Sequence, residues 1–354
     1  MSIWVNARFL TQRITGVQRF AIEISRQLKR LSPDIKFVAP GNIIHDALAA
    51  ELNIVAHGKM SGHLWEQWEL PLFLKKRGRP LLINLGNTSP LHYKNKIVVI
   101  YDVSFIRNPR WFSKKFYYYY KFIVARAARE AIKIITVSEF SKKEIQELLN
   151  ISADKIEIVY AAAPKEAGDE IGKDLCRSGR YILAVSSMGP NKNLNNLVAA
   201  FIGSGIKHVK LIIVGPGNRS FSHKKLVEAI GSNPDIIFTG YVSDHDLFGL
   251  YRRAEFFIYP SLYEGFGIPP LEAMACGCPV IVSRASSLPE VCGDAALYVN
   301  PHDIDDIKRG MSEVLDNGEL RQELILKGKE RVKLFSWNDS ARRLLKIIQG
   351  VVNN

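Results

Sequence analysis

Glu264 and Glu272 stand with seven residues between them in the stretch Ser261–Pro279, SLYEGFGIPPLEAMACGCP. Gly265 and Gly267 bracket Phe266, so the backbone there can take positive φ or come close to a ligand. Pro269 and Pro270 preset helical φ for a short helix, with Glu272 expected in its first turn and Gly277 as its stop. The apolar run Phe256–Tyr259 ahead of them reads as a buried strand. Strand, glycine loop and helix N-terminus together suit a phosphate, because free N–H groups and partial positive charge converge there. Carboxylates beside an anion site serve better as acceptors for hydroxyl groups, such as those of a sugar and a ribose. The stretch therefore predicts a nucleotide-sugar site.

Lys192, in SSMGPNKNL after the apolar run Tyr181–Val185, is placed to bring a point charge to a diphosphate. Gly215, in Val214-Gly215-Pro216-Gly217, follows a further strand and lets the backbone approach the same ligand. Gly240-Tyr241-Val242-Ser243, after a further strand, looks like a segment that frames a nucleobase through Tyr241 and Val242. Asp244-His245-Asp246 spells a metal-diphosphate signature, but it sits where a helix begins and reads as that helix's cap. Cys276 and Cys278 lack the accompanying His or Cys cluster that a metal would need. Taking Glu264 and Glu272 as a glycosidase pair would leave the phosphate loops unexplained.

EGFGIPPLEAMACGCPVI resembles the donor-site motif of the retaining glycosyltransferases of family 4. That resemblance implies a GT-B fold: two doubly wound Rossmann-like α/β domains facing across a cleft, with a C-terminal helix crossing back to the first. The donor nucleotide would sit on the C-terminal domain and the acceptor largely on the N-terminal one. The implied reaction moves a hexosyl unit from a nucleoside-diphosphate sugar to a hydroxyl with retention, and needs neither metal nor other cofactor. Glu264 and Lys192 would be its catalytic residues. Glu272 would hold the ribose, with Gly265, Phe266, Gly267 and Ile268 lining the donor. Ser187 stands where many members carry an Arg, which shifts phosphate neutralisation towards Lys192, backbone amides and the helix dipole. Gly16, in TGVQRF, occupies the place of a glycine loop near the phosphates, and Arg19 beside it is either an acceptor-side cation or a surface charge. Tyr101 replaces the histidine of a His-Asp pair and offers a hydroxyl to a sugar, while Asp102 holds its loop or meets the acceptor. Ser138 either lines the cleft or caps a helix. The setting implied is assembly of a surface polysaccharide or O-antigen of lipopolysaccharide on a lipid carrier. GDP-hexose, as for a mannosyltransferase, is favoured slightly over a UDP-sugar. Another sugar-nucleotide enzyme on the same scaffold, an epimerase or phosphorylase, and a non-catalytic assembly subunit remain alternatives.

The elements that must position these residues alternate strand with helix along all 354 residues. Apolar runs begin at Ile3–Asn6 and recur at Lys36–Ala39, Asn53–Ala56, Leu81–Leu85, Ile97–Tyr101, Lys133–Val137 and Ile156–Tyr160. Helical periodicity runs from Val17 to Leu31, over His63–Lys76 with an interruption at Pro71, over Ser113–Ala131 and over Glu139–Leu149. The small, polar run Ala161–Gly179 reads as a linker, placing a first domain at 1–165 and a second at 166–335. A second strand–helix series follows it. A break at Phe335–Asn338 then frees a last helix, 336–354, to return to the first domain. This alternation predicts parallel, doubly wound sheets.

Charge is partitioned between the halves. Residues 1–165 hold 26 Lys and Arg against 13 Asp and Glu, whereas 166–354 balance at 22 against 22. A basic first half is drawn to anionic surfaces. Within it, Asn108–Arg129 interleaves aromatics with cations, a pattern that fits an interfacial helix. No nucleic-acid-binding module accompanies the charge. No apolar run approaches the ~20 residues of a membrane span, and MSIWVNARFL enters a strand at once rather than a signal peptide. A cytosolic protein, peripheral at the inner face of the membrane, is expected. Four cysteines fit reduced thiols in that compartment.

Overall fold

The computed structural model describes residues 2–164, 179–186, 189–215 and 233–353. The chain divides into two units, Met1–Ala161 with Ser336–Asn354, and Ala162–Phe335. The 165/166 boundary, most of the expected linker, Cys176 and Ser187 lie outside the described residues.

The first unit is built on seven strands: β1 (Ile3–Asn6), β2 (Lys36–Ala39), β3 (Val55–Ala56), β4 (Leu81–Asn84), β5 (Lys96–Val99), β6 (Lys133–Thr136) and β7 (Ile156–Ile158). They hydrogen-bond in the order β3-β2-β1-β4-β5-β6-β7, parallel throughout. Every residue of β4 and β5 is buried, as strands covered on both faces by helices must be. The order runs outward one way from β1 and resumes the other way from β4. The sheet's topological switch point therefore lies between those two strands. Asn6 and Asn84 end them, opposite each other in register.

Helix Gly16–Leu31 buries Phe20, Ile24 and Leu28, the stripe that its sequence period marks. The last helix, Trp337–Asn353, buries Ala341, Leu344 and Ile348 in the same unit. Its Trp337 ring stands 5.7 Å from Phe20, so the chain does cross back after the break at Phe335. Removing Leu344 and Ile348 from water stabilises this return by about 1.5–3 kcal/mol each. The segment expected to break at Pro71 does not break. Helix Gly62–Leu64 continues through a π turn, Trp65–Glu69, into Leu70–Lys75. The wide turn ends just before the proline, in place of an interruption. The strand expected at Asn53–Ala56 is shorter, because Asn53 takes φ 54° to close the preceding helix.

In the second unit, six strands among the described residues form a parallel sheet in the order β10-β9-β8-β11-β12-β13. They are β8 (Tyr181–Val185), β9 (Lys210–Val214), β10 (Ile236–Gly240), β11 (Phe256–Tyr259), β12 (Val280–Ser283) and β13 (Leu297–Val299). By the same logic the switch point here lies between β8 and β11. Helices Leu194–Ser204, Asp244–Arg253, Ile268–Ala275, Ile304–Asp316 and Gly318–Val332 accompany it. The helix expected over Lys224–Ile230 lies outside the described residues, as do Pro216 and Gly217. No described helix is long and apolar enough to cross a membrane.

Candidate functional site

Lys192 ends a short 3-10 turn, Pro190–Lys192, that follows β8, while Tyr259 ends β11 and Glu264 lies in the loop after it. The second sheet's switch point brings the three together. The Lys192 ammonium is 2.7 Å from Glu264 Oε1 and donates to the Tyr259 hydroxyl at 2.6 Å. Burial alone would lower the ammonium's pKa, but the Glu264 carboxylate and the Tyr259 hydroxyl more than offset it. Lys192 is thus held charged above the ordinary lysine value. Tyr259 is pushed up, first by burial and then by the neighbouring carboxylate, so it stays protonated. An ammonium has three N–H donors, and two are directed at Glu264 and Tyr259. The third is what this geometry can offer an anion.

The loop that carries Glu264 is fixed through its backbone. Its N–H donates to Ser286 Oγ at 2.9 Å, and Ser287 Oγ donates to the carbonyls of Glu264 and Phe266, both at 2.9 Å. From the other strand, the Asn191 carbonyl accepts from Leu262 N–H at 2.7 Å. Asn193, in the left-handed region at φ 58°, donates to the carbonyls of Pro260 and Pro301. The two asparagines flanking Lys192 therefore act as braces between the loops. Sequence reasoning passed over Tyr259, Ser286 and Ser287; the position of Tyr259 at a strand's carboxyl end was the available signal.

Gly267 takes φ 97°, and a Cβ there would stand 2.7 Å from Leu288 Cδ2, so the position needs glycine on both counts. It caps helix Ile268–Ala275, with the two prolines in the first turn. Glu272 consequently falls in the second turn rather than the first. It is buried, with one carboxylate oxygen accepting from Tyr251 at 3.2 Å. Phe266 and Ile268 are buried too, Phe266 edge-on to Phe335 at 5.6 Å. What these two positions and Gly265 have for a ligand is therefore backbone, not side chain.

Gly215 donates its N–H to Gly240 O at 2.9 Å, joining the ends of β9 and β10. Tyr241 is exposed beside Gly240, which has φ 74°, and Val242 is partly exposed. The cap of the next helix is Ser243, which accepts from Asp246 N–H; Asp244 and Asp246 lie in its first turn, where the dipole favours them. The expected D-x-D cap is thus displaced by one residue, to Ser243, whose hydroxyl accepts from the N3 amide. Among the described residues, Cys276, Cys278 and Cys292 form no disulfide.

In the first unit, Gly16 opens helix Gly16–Leu31, capped by Thr15 with Gln18 reaching back, and Arg19 lies partly exposed on the first turn. Tyr101 is buried, and its hydroxyl donates towards the carbonyls of Val17 and Leu85, each at 3.2 Å. The sugar contact expected of Tyr101 is therefore already taken by backbone. Asp102 accepts from Ser104 N–H at 2.8 Å and holds its loop. Ser138 caps helix Glu139–Leu149 through Ser141 N–H at 3.0 Å, which fits the capping role.

A second constellation, absent from sequence reasoning, stands at the first sheet's switch point. Glu66, buried in the π turn, accepts from Asn6 at 3.0 Å and Thr88 at 2.6 Å, and pairs with Arg8 Nε at 3.3 Å. Burial pushes its carboxyl up, but Arg8, His63 and Thr88 outweigh that and hold it below the usual carboxylate value. Asn6 also donates to Asn84 Oδ1 at 2.6 Å, tying β1 to β4.

The family model described as glycosyl transferases group 1 matches residues 175–331, and that of Glycosyltransferase Family 4 matches 14–164. O-antigen chain mannosyltransferase B of Escherichia coli is 33% identical over 262 residues, covering 71% of this chain and 69% of that one. O-antigen chain mannosyltransferase RfbU of Salmonella typhimurium is 28% identical over 314 residues, 84% of this chain and 87% of that protein. The crystal structure of Anabaena HepE with UDP and glucose superposes with a TM-score of 0.78 at 16% identity, over 99% of this chain and all of that one. WaaG, a glycosyltransferase of lipopolysaccharide biosynthesis, does so at 0.76 and 13% identity, over 98% of this chain and 100% of that one. These structural likenesses are of fold.

Proposed function

The chain belongs to the group 1, family 4 glycosyltransferases, and from that premise we propose that it moves a hexosyl unit from a GDP-hexose to a saccharide hydroxyl. The observation that carries this reading is the Lys192 ammonium, held charged between Glu264 and Tyr259 at the second switch point. Its remaining N–H is directed to the leaving diphosphate, whose charge it stabilises as the glycosyl bond breaks. Glu264 fixes that ammonium and, with its second oxygen, accepts from hydroxyls of the transferred sugar. The acceptor hydroxyl attacks on the face from which the diphosphate leaves and gives up its proton to it. Configuration is thereby retained, and no metal is required. Glu272, steadied by Tyr251, holds the ribose. The two O-antigen mannosyltransferases support mannose as the sugar and an O-antigen saccharide as the acceptor; GDP as the nucleotide and a lipid carrier for the acceptor are this reading's own.

A membrane surface is part of this reading, at the cytoplasmic face. Leu64, Trp68 and Leu72 follow one another at four-residue spacing on the segment Gly62–Lys75, exposed by 63%, 60% and 56%. Tyr118 and Phe122 are exposed on helix Lys114–Glu130, which the His63–Tyr119 ring contact at 5.5 Å joins to that segment. Lys75, Lys114, Lys115 and Lys121 accompany them on the two segments, and Lys76 directly follows the first. Exposed apolar side chains accompanied by cations suit an anionic lipid surface.

The test is nucleoside diphosphate release from a panel of GDP- and UDP-hexoses, with and without lipid-linked saccharide extracted from a polysaccharide-producing bacterium, in the presence of EDTA. Acceptor-dependent release of GDP that survives EDTA is expected. Release independent of acceptor, or interconversion of the donor sugar, would put the chain among the epimerases or hydrolases instead.

A further inference from the structure

The loop 264–267 offers a ligand its backbone, and backbone flanked by two glycines is costly to hold in one shape. Between those glycines, Phe266 carries the side chain by which the loop can be anchored, and that side chain is buried. What holds it lies at the far end of the second unit's sequence.

A closed circuit of contacts runs from this loop and returns to it. Ser287 stands at the cap position of helix Leu288–Cys292, yet its hydroxyl does not cap that helix. It donates to the carbonyls of Glu264 and Phe266 instead. Leu288, in the first turn, packs against the loop at Gly267. At the other end, a helix leaves its last carbonyls without intrahelical partners, and Arg331 serves two of them. Its Nε donates to Val291 O at 2.8 Å and its Nη2 donates to Glu290 O. The same guanidinium lies 5.4 Å from the centre of the Phe335 ring, and that ring stands edge-on to Phe266. The chain tightens after Val332, where the N–H groups of Leu334 and Phe335 donate to the carbonyls of Arg331 and Val332, and this fixes the ring's place. Phe335 is also the last residue of the second unit, so the chain leaves that unit from the support of its donor loop.

We propose that Phe335 and Arg331 are positioning residues for the donor: they hold Phe266, and through it the backbone of the glycine loop, in the conformation that receives the nucleotide. This rests on the donor reading of Lys192 and Glu264. A loop that holds its binding conformation only part of the time binds with an affinity reduced by that fraction. Loosening Phe266 therefore weakens nucleotide binding, beyond any cost to the fold. By reciprocity, a bound nucleotide tightens the turn 331–335.

The test titrates the full-length chain with GDP and UDP by calorimetry, at a temperature where every variant is folded by circular dichroism. Phe335→Leu should weaken binding of the nucleotide that the wild type takes by about fivefold, the worth of one edge-to-face ring pair. Phe335→Tyr keeps the ring and should keep the affinity. Arg331→Met should weaken binding in the same direction, and it decides the matter should Phe335→Leu fail to fold. Val314→Ala is the control. It opens a cavity in a core cluster of the same unit that contains none of the circuit's residues, and should lower the Tm without changing nucleotide affinity. Hydrogen exchange reads the reverse direction: nucleotide should slow the amides of residues 331–336 in the wild type and not in Phe335→Leu. Nucleotide affinity unchanged in Phe335→Leu and Arg331→Met, or lowered as much in Val314→Ala, would overturn the proposal, as would exchange at 331–336 indifferent to nucleotide. If neither nucleotide binds the wild type, the donor reading falls and this inference with it. If one binds and the variants match the wild type, this inference alone falls.

Discussion

At each switch point a cation from the loop after the first strand meets a carboxylate, yet the two pairs are built for different partners. In the second unit, Lys192 follows β8 and meets Glu264 and Tyr259 with one N–H to spare, at 17% and 11% side-chain exposure for the ion pair. In the first unit, Arg8 follows β1 and meets a Glu66 that is only 1% exposed and held by hydrogen bonds from Asn6 and Thr88 as well. One pair presents a charge. The other is closed on itself and uses its charges to fix the neutral donors around it. Lys192 carries a point charge on a flexible stem with an N–H left to present, whereas the Arg8 guanidinium is a planar fork held against Glu66 and Thr88.

The comparison is broken most forcefully at Glu264. Glu264→Ala should lower transfer by about 10³-fold or more, in line with loss of a preorganised charge worth about 4 kcal/mol, with the fold intact by circular dichroism. Wild-type turnover in that variant would remove Glu264 from the mechanism. The counterpart in the first unit reads out in stability. Glu66→Ala leaves Arg8 and Asn6 unsatisfied in a buried place and should cost about 3–5 kcal/mol in urea unfolding. Pairing it with Arg8→Met should return most of that loss, because an apolar replacement of a buried ion pair is close to neutral. Should the double variant be no better than the single, the network is not organised around this pair.

Gly267→Ala should cost about 1–3 kcal/mol by the same measurement, since it forces a side chain into positive φ against Leu288. Trp68→Ser with Phe122→Ser should weaken binding to vesicles containing anionic lipid by about 1.5–3 kcal/mol for each side chain withdrawn from the bilayer. Undiminished vesicle binding would move the contact elsewhere. The smallest effect is in pH. The Glu66 carboxyl is held below the 4.5 of an ordinary glutamate, so its ionised form stabilises the fold above that value. Its contribution fades as pH falls below 4.5 and is lost once the folded carboxyl protonates. The stability difference between wild type and Glu66→Gln should shrink in acid, and a difference that grew there would reverse the sign assigned.

The two sites also differ in how far the sequence revealed them. Glu264, Gly267 and the prolines are contiguous, and each residue type declares a local role, as hydroxyl acceptor, as bearer of positive φ or as helix start. Lys192 could be placed because it follows an apolar run directly. The first-unit network joins residues 6, 8, 66, 84 and 88, whose neighbours give no local reason for them. Only the parallel register of β1 and β4 brings Asn6 against Asn84, and only the π turn carries Glu66 inward. Pro71 pointed to a break, when what the chain forms is a widened turn. Tyr101 looked like a ligand group because strand position says where a side chain starts, not which carbonyl its hydroxyl will reach. The strands themselves were legible, since buried parallel strands are short apolar runs with little alternation to misread.

The most direct test of the donor site is thermal unfolding of wild type and Lys192→Ala with GDP, UDP and their hexoses. A ligand at 100 times its Kd stabilises the fold by about 2.7 kcal/mol. At least one nucleoside diphosphate, GDP before UDP, should raise the Tm of the wild type and raise it far less in Lys192→Ala. If none shifts the Tm at millimolar concentration, or if both proteins shift equally, Lys192 does not face a diphosphate and the account of the second switch point is wrong.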